Sequence, residues 1–159
     1  MVRIIKIILI VLVGLWGLIG GLGNLALTDS GFTATAEVVG ADGRSGVADW
    51  QRIESPLLIW AAWALLPIGK LATAVLCLYG AWRMWSSRRL PADEFNAAKT
   101  FGLLGCGIAI AMVFGIFMVA ADTYFKLWQA DLGSRVMPIA FRYVGSIGII
   151  ALFVNQPDR

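Results

Sequence analysis

Residues 56–85 read PLLIWAAWALLPIGKLATAVLCLYGAWRMW, and this stretch decides the fold. Between Leu57 and Trp82 the only charged side chain is that of Lys70. A helix rises about 1.5 Å per residue, so crossing a bilayer core of about 30 Å takes about twenty apolar residues. The stretch is therefore long and apolar enough to cross a membrane.

Lys70 lies about 20 Å of helix from either end of this stretch, too far for its ammonium group to reach the surface easily. A charge at that depth costs at least about 2.5 kcal/mol on insertion scales. Three interpretations are open: an acidic residue of a neighbouring subunit, an anion or water in a cavity, or tolerance among small residues. No acidic residue of this chain is expected at that depth, which favours an external partner or a wet cavity.

The composition places the chain in the membrane class, since 59% of its 159 residues are apolar and only 14% are charged. The net charge of +3 comes from basic residues beside the apolar segments, so it predicts membrane topology and no nucleic-acid partner. Histidine is absent and two cysteines alone cannot form a structural zinc site, so we expect no metal and no cofactor. No nucleophile with a neighbouring base is visible, so we expect no enzyme.

The apolar segments predict one integral membrane domain over residues 1–159, with helices at about 4–27, 56–85, 91–125 and 138–155. Residues 28–55 form a polar connection in which Gly40 to Gly46 indicates a turn. Within the same connection, Asp49 to Glu54 indicates a short interfacial helix. The expected fold is an all-α bundle of four transmembrane helices with a polar external loop between the first two.

The distribution of basic residues predicts the orientation, because cytoplasmic loops carry an excess of lysine and arginine. Seven basic residues fall at one end of the helices and four at the other, which places both termini in the cytoplasm. The seven are Arg3, Lys6, Arg83, Arg88, Arg89, Lys99 and Arg159, and the four are Arg44, Arg52, Lys126 and Arg135.

Three charged residues, Glu54, Asp122 and Arg142, are expected near the outer interface. The helix lengths place Asp122 and Arg142 within about two turns of the same interface, so an ion pair between helices three and four is natural. We interpret the three residues as a structural clamp, with ligand binding as the alternative.

Glycines at short spacing predict places where helix backbones approach closely. Helix one carries Gly14, Gly17 and Gly21, and helix four carries Gly145 and Gly148. For helix one we favour packing within the chain over a homodimer contact.

Several runs of residues carry a resemblance over nearly the whole chain apart from the first loop. These runs are Phe95-Asn96-Ala97-Ala98-Lys99, Tyr124-Phe125-Lys126-Leu127-Trp128-Gln129, Ala140-Phe141-Arg142 and Gln156-Pro157-Asp158, together with Ala72–Cys77 and Gly80–Arg83. They resemble the DUF2165 family of predicted small integral membrane proteins. The resemblance implies four membrane helices, bacterial origin and no assigned activity, and we therefore expect the protein in the bacterial inner membrane. The family pattern favours glutamate at the positions of Lys70 and Thr123, so this chain departs from it at both.

Two functions of different classes fit these features. The first, which we favour at this point, is a non-catalytic accessory or structural subunit of a larger membrane complex, held by glycine-lined helices and Lys70. The second is a small oligomeric transporter or channel for an anionic solute around Lys70, with Pro67-Ile68-Gly69 as a hint of a broken helix. The expected partners are the lipid bilayer and either another membrane protein or further copies of this chain.

Overall fold

The computed structural model describes residues 1–158, whose regular secondary structure is entirely helical, with no strand among them. Arg159, one of the basic residues counted for orientation, lies outside the described residues. Within residues 1–158 there are six α-helices: α1 (Val2–Ala26), α2 (Thr28–Gly40), α3 (Pro56–Ser86), α4 (Ala92–Ala98), α5 (Thr100–Val113) and α6 (Asp131–Asn155). A π-helix, Phe114–Tyr124, continues α5, and 3-10 turns lie at Asp49–Gln51 and Leu127–Gln129.

Four helical stretches of the described chain are long and apolar enough to cross a membrane: Val2–Ala26, Pro56–Ser86, Ala92–Tyr124 and Asp131–Asn155. Their outward side chains are apolar, as shown by Ile19, which is 70% exposed, and Leu152, which is 72% exposed. Lipid tails accept such a surface, whereas water would not. The expected fold class, an all-α membrane protein with four spanning helices, is confirmed.

The start of the fourth span differs from the sequence prediction. α6 begins at Asp131, several residues before the expected start at residue 138, and Pro138 lies inside the helix. Proline is common in the first turn of a helix, which is why the sequence favoured a start there. Asp131 instead supplies the acidic residue that stabilises the positive end of a helix.

The polar connection between α1 and α3 differs from its sequence prediction more than the start of α6 does. Most of its first half is α2, whereas the interfacial helix expected from Asp49 to Glu54 is only the short 3-10 turn. α2 contains glycine and threonine, which have low intrinsic helix propensity, so its sequence gives little indication of a helix. Tertiary contact favours it: the Phe32 ring packs 4.6 Å, centroid to centroid, from that of Trp60 at the start of α3.

Glycines allow α1 and α3 to approach closely. A methyl group placed on Gly17 would lie 2.6 Å from the carbonyl oxygen of Lys70 and 3.0 Å from the backbone nitrogen of Ala74. Gly14 and Gly21 likewise face α3, where the nearest side chains include Leu78 and Leu71. The three glycines predicted to pack on helix one therefore pack within the chain.

The two glycines predicted to pack on helix four do not pack within the described chain. A Cβ atom placed on Gly145 or Gly148 would meet no atom within 4 Å. Gly145 is exposed, and Gly148 is half-buried in an open groove that it shares with Leu103 and Ile110 of α5, beside the exposed side chain of Leu152. Spacing alone predicts a groove, but the rotation of the helix decides whether the groove meets another helix.

Candidate functional site

The Lys70 side chain points into the bundle. Its Nζ atom donates a hydrogen bond to Asn24 Oδ1 at 3.3 Å and lies 5.9 Å from the centroid of the Trp16 ring. No carboxylate of the described residues lies within ion-pair distance of Lys70. The ammonium group therefore has one long hydrogen bond and a distant aromatic face, which leaves most of its hydrogen-bonding capacity unused.

A cavity of about 240 Å³ opens beside Lys70. Asn24 and Tyr143 contribute the other polar side chains of its lining, and Tyr143 is positioned by packing on Trp16 at 5.2 Å between ring centroids. Because Asn24 uses its oxygen to accept from Lys70, its NH₂ group remains a donor. An ammonium, an amide and a phenol thus present donors to one small space, which suits an anion.

A larger cavity of about 550 Å³ adjoins the first. The two share wall residues Asn24, Leu66, Phe117 and Val136. The larger one lies between α2, the first half of α3 and the π-helix, and most of its lining is apolar. π-Helical turns are rare and frequently occur at functional sites. Here the π-helix forms one wall of the larger cavity and contributes Phe117 to the smaller one.

The predicted outer clamp is not formed. Asp122, Arg142 and Glu54 take part in no ion pair among the described residues, and Arg142 and Glu54 are exposed. The π-helix winds more widely than an α-helix, and the sequence gives no sign of it, so the direction of the Asp122 side chain was not predictable. The expected ion pair between helices three and four is not formed among the described residues.

A cluster of ion pairs that the sequence did not indicate lies at the opposite end of the bundle. Asp158 accepts from Lys6 at 2.8 Å and from Lys99 at 2.5 Å, while Arg3 lies 3.8 Å away. Both lysines also donate to the carbonyl oxygen of Gln156, at 2.6 and 2.8 Å. This cluster, named the Asp158 cluster below, ties α1 and α4 to the segment after α6.

Asn96 completes the Asp158 cluster. Its side-chain oxygen accepts from Lys99 Nζ at 2.6 Å and from the Asp158 backbone N–H at 3.0 Å. Burial acts to raise the pKa of the Asp158 carboxyl, but the Lys6 and Lys99 ammonium groups outweigh it and hold that pKa below its ordinary value. The buried lysines here have a full set of partners, so the arrangement is structural.

Arg44 performs a similar role at the other end. It is buried, and its guanidinium donates to the carbonyl oxygens of Val38 at 2.8 Å, Phe125 at 2.9 Å and Glu37 at 2.9 Å. Burial lowers the pKa of Arg44, while Glu37 and Asp42 act in the opposite direction. A cation at the carbonyl ends of α2 and the π-helix is favourable, so Arg44 fixes the loop onto the bundle.

The runs that carried the resemblance supplied the one sequence signal for these structural contacts. Asn96 and Lys99 belong to one run and Asp158 to another, although they are far apart in sequence. Gln129, from a third run, exchanges two hydrogen bonds with the backbone of Ser45, at 2.9 and 3.1 Å. Lys6 and Arg44 lie outside these runs, and in the sequence they contribute only to the prediction of membrane orientation.

The fold and the buried charges define a polytopic α-helical membrane protein. The model of the DUF2165 family, described as a predicted small integral membrane protein, matches residues 2–157. The chain belongs to that family, which confirms the resemblance seen in its sequence. No curated protein and no solved structure matches the chain.

Proposed function

We propose that this protein binds an anionic molecule in the cavity beside Lys70, within one chain, and has no catalytic role. The observation that carries the proposal is an ammonium group that faces a cavity and has, within the part of the chain that the structure describes, one amide as its hydrogen-bond partner. An ammonium without a carboxylate at this depth is costly, and a bound anion would offset that cost. The amide of Asn24 cannot remove a proton, so the arrangement suits charge recognition better than chemistry.

Binding of radiolabelled benzoate to the protein in lipid nanodiscs tests this proposal, because benzoate is a small monoanion. We expect saturable binding to the unmodified protein and at least a tenfold loss of affinity in Lys70→Met, which keeps the apolar stem and removes the charge. Arg142→Met is the matched control and should bind normally, since Arg142 is exposed and does not line the cavity. Equal binding by the protein and Lys70→Met would refute the proposal. Uptake into proteoliposomes then separates transport from binding.

A second candidate is an accessory subunit of a larger membrane complex. The open face of α6 supports it, because Gly145 and Gly148 leave room there for the backbone of another helix. If a partner helix packs on this face, Gly145→Leu should release the partner during purification in mild detergent. Lys70→Met should retain the partner, because Lys70 points into its own chain. Retention of the partner by Gly145→Leu would exclude this face.

The proposed location is the bacterial inner membrane, with both termini in the cytoplasm. The support is the excess of basic residues at the end of the bundle that carries Lys99. Reporter fusions placed after Gly43 and after Arg89 should report opposite sides of the membrane. Equal accessibility of the two fusion points would overturn this orientation.

A further inference from the structure

The two adjoining cavities differ in polarity along their length. The smaller one holds the Lys70 ammonium, and the larger one extends from it toward α2 between apolar walls. No acidic side chain lines either cavity within the described residues. A ligand that fills both spaces must therefore carry a negative charge at one end and be apolar along the rest.

Small residues create the space of the larger cavity. Gly31, Ala34, Ala62 and Ala120 lie in its walls, where larger side chains would occupy it. Gly31 also allows the Trp63 indole to lie directly against α2, so the cavity is closed at that point by an aromatic ring. Volumes of about 550 and 240 Å³ fall within or close to the range of about 300–1,000 Å³ typical of small-molecule sites.

The polar groups at the Lys70 end limit the kind of head group. One ammonium balances one negative charge, and the Asn24 NH₂ and the Tyr143 hydroxyl can donate further hydrogen bonds. A carboxylate has two oxygens for such donors and carries a single charge. The cavity of about 240 Å³ leaves little room for a glycerol phosphate head group with substituents.

We propose that the ligand is a fatty acid, with its carboxylate on Lys70 and Asn24 and its alkyl chain in the larger cavity. This inference rests on the proposed function, since it names the class of anion bound at Lys70. The alkyl chain gains little by leaving lipid for an apolar cavity, so the charge contact with Lys70 supplies selectivity. The small residues of the larger cavity determine which chains fit.

A photoreactive probe tests the inference directly. Dodecanoic acid with a diazirine at its methyl end is added to the protein in nanodiscs, irradiated, and the labelled peptides are identified by mass spectrometry. We expect labelling of residues 116–127, which include the π-helical wall, and at least tenfold less of it in Lys70→Met. Labelling of the exposed face around Ile149 and Leu152 reports bulk lipid and should be equal in both proteins.

Two further variants test whether the alkyl chain of the fatty acid occupies the larger cavity. Ala120→Leu fills the larger cavity, so it should reduce labelling of residues 116–127 while leaving benzoate binding unchanged. Ala62→Leu fills the opposite wall and should do the same, which keeps the test decisive if one variant does not fold. Gly145→Leu adds the same side chain on the open face of α6 and should change neither measurement.

The outcomes separate the inference from the proposed function. If benzoate binding depends on Lys70 but the probe labels only the exposed α6 face, the fatty acid is wrong and anion binding stands. If benzoate binding and probe labelling are both unchanged in Lys70→Met, both are wrong. Unlabelled dodecanoate should compete with the probe better than dodecyl phosphate. Competition by dodecyl phosphate alone would overturn the carboxylate head group.

Discussion

Lys99 and Lys70 both donate a hydrogen bond to an asparagine side chain, but Lys99 lies between α4 and α5 at the end of the bundle, whereas Lys70 lies in the middle of α3. Lys99 donates to Asp158, Asn96 and the carbonyl oxygen of Gln156, whereas Lys70 donates, among residues 1–158, to Asn24 alone. A buried charge that has all its partners stabilises one arrangement of the chain. A buried charge that faces a cavity with one partner is available for a ligand. The comparison therefore separates a lysine whose partners make it structural from one that, as proposed above, has room for a ligand.

The substitution with the largest expected effect is Asp158→Asn, which tests whether the Asp158 cluster stabilises the fold. This change removes the carboxylate shared by two buried lysines, so it should lower the free energy of unfolding by about 3 kcal/mol or more. The midpoint of thermal unfolding in detergent measures the loss. Asp93→Asn, an exposed position on α4, is the control and should change stability by less than about 0.5 kcal/mol. A comparable small effect at Asp158 would show that the cluster is not structural.

The same substitution at both lysines tests the comparison itself. Lys99→Met should cost about 2 kcal/mol, because it removes one of the two ammonium groups that pair with the buried Asp158 carboxylate and one donor from each of the Asn96 and Gln156 oxygens. Lys70→Met should change stability by less than about 0.5 kcal/mol, because little is lost beyond one long hydrogen bond. Chemical unfolding of the two variants side by side gives the difference. Equal losses would mean that Lys70 is structural as well.

Two glycines of α1 that lie against Lys70 test separately its backbone, which packs tightly, and its side chain, which faces the cavity. Gly17→Ala should destabilise the protein by about 1 kcal/mol, because its methyl group meets the rigid backbone at Lys70 and Ala74. Gly20→Ala should be close to neutral, since its methyl group meets only the flexible Lys70 side chain, 3.2 Å away, and alanine favours the helix. Thermal unfolding compares the two. Gly20→Ala should nevertheless weaken benzoate binding, and unchanged binding would place the anion elsewhere.

The smallest expected effect is a dependence on acid pH. The folded state lowers the pKa of Asp158, so its contribution is complete above the ordinary value of about 3.9 and is lost as the pH falls through the lower folded value. The unfolding midpoint should therefore decline below about pH 4, and the gap between the protein and Asp158→Asn should narrow there. A gap that stays constant down to pH 3 would contradict the assigned pairing.

Several basic residues that predict the membrane orientation also form structural contacts. Arg3, Lys6 and Lys99 were counted to predict orientation, and all three surround Asp158 in the structure. Arg44 was counted for the opposite side, and it holds three carbonyl groups at the loop. A count of charges near membrane ends requires no knowledge of what each charge contacts, so it could not reveal these roles.

The sequence by itself determined the four spans, the isolated charge of Lys70 and the close approach at Gly14, Gly17 and Gly21. Hydropathy and helical spacing are local properties, so a linear chain records them directly. Only the tertiary structure decided the partners of Asp158, the lack of an Asp122–Arg142 ion pair among the described residues and the cavities beside Lys70. These features depend on how far each helix is rotated and where a π-helix widens it, and such rotations follow from packing between segments distant in sequence.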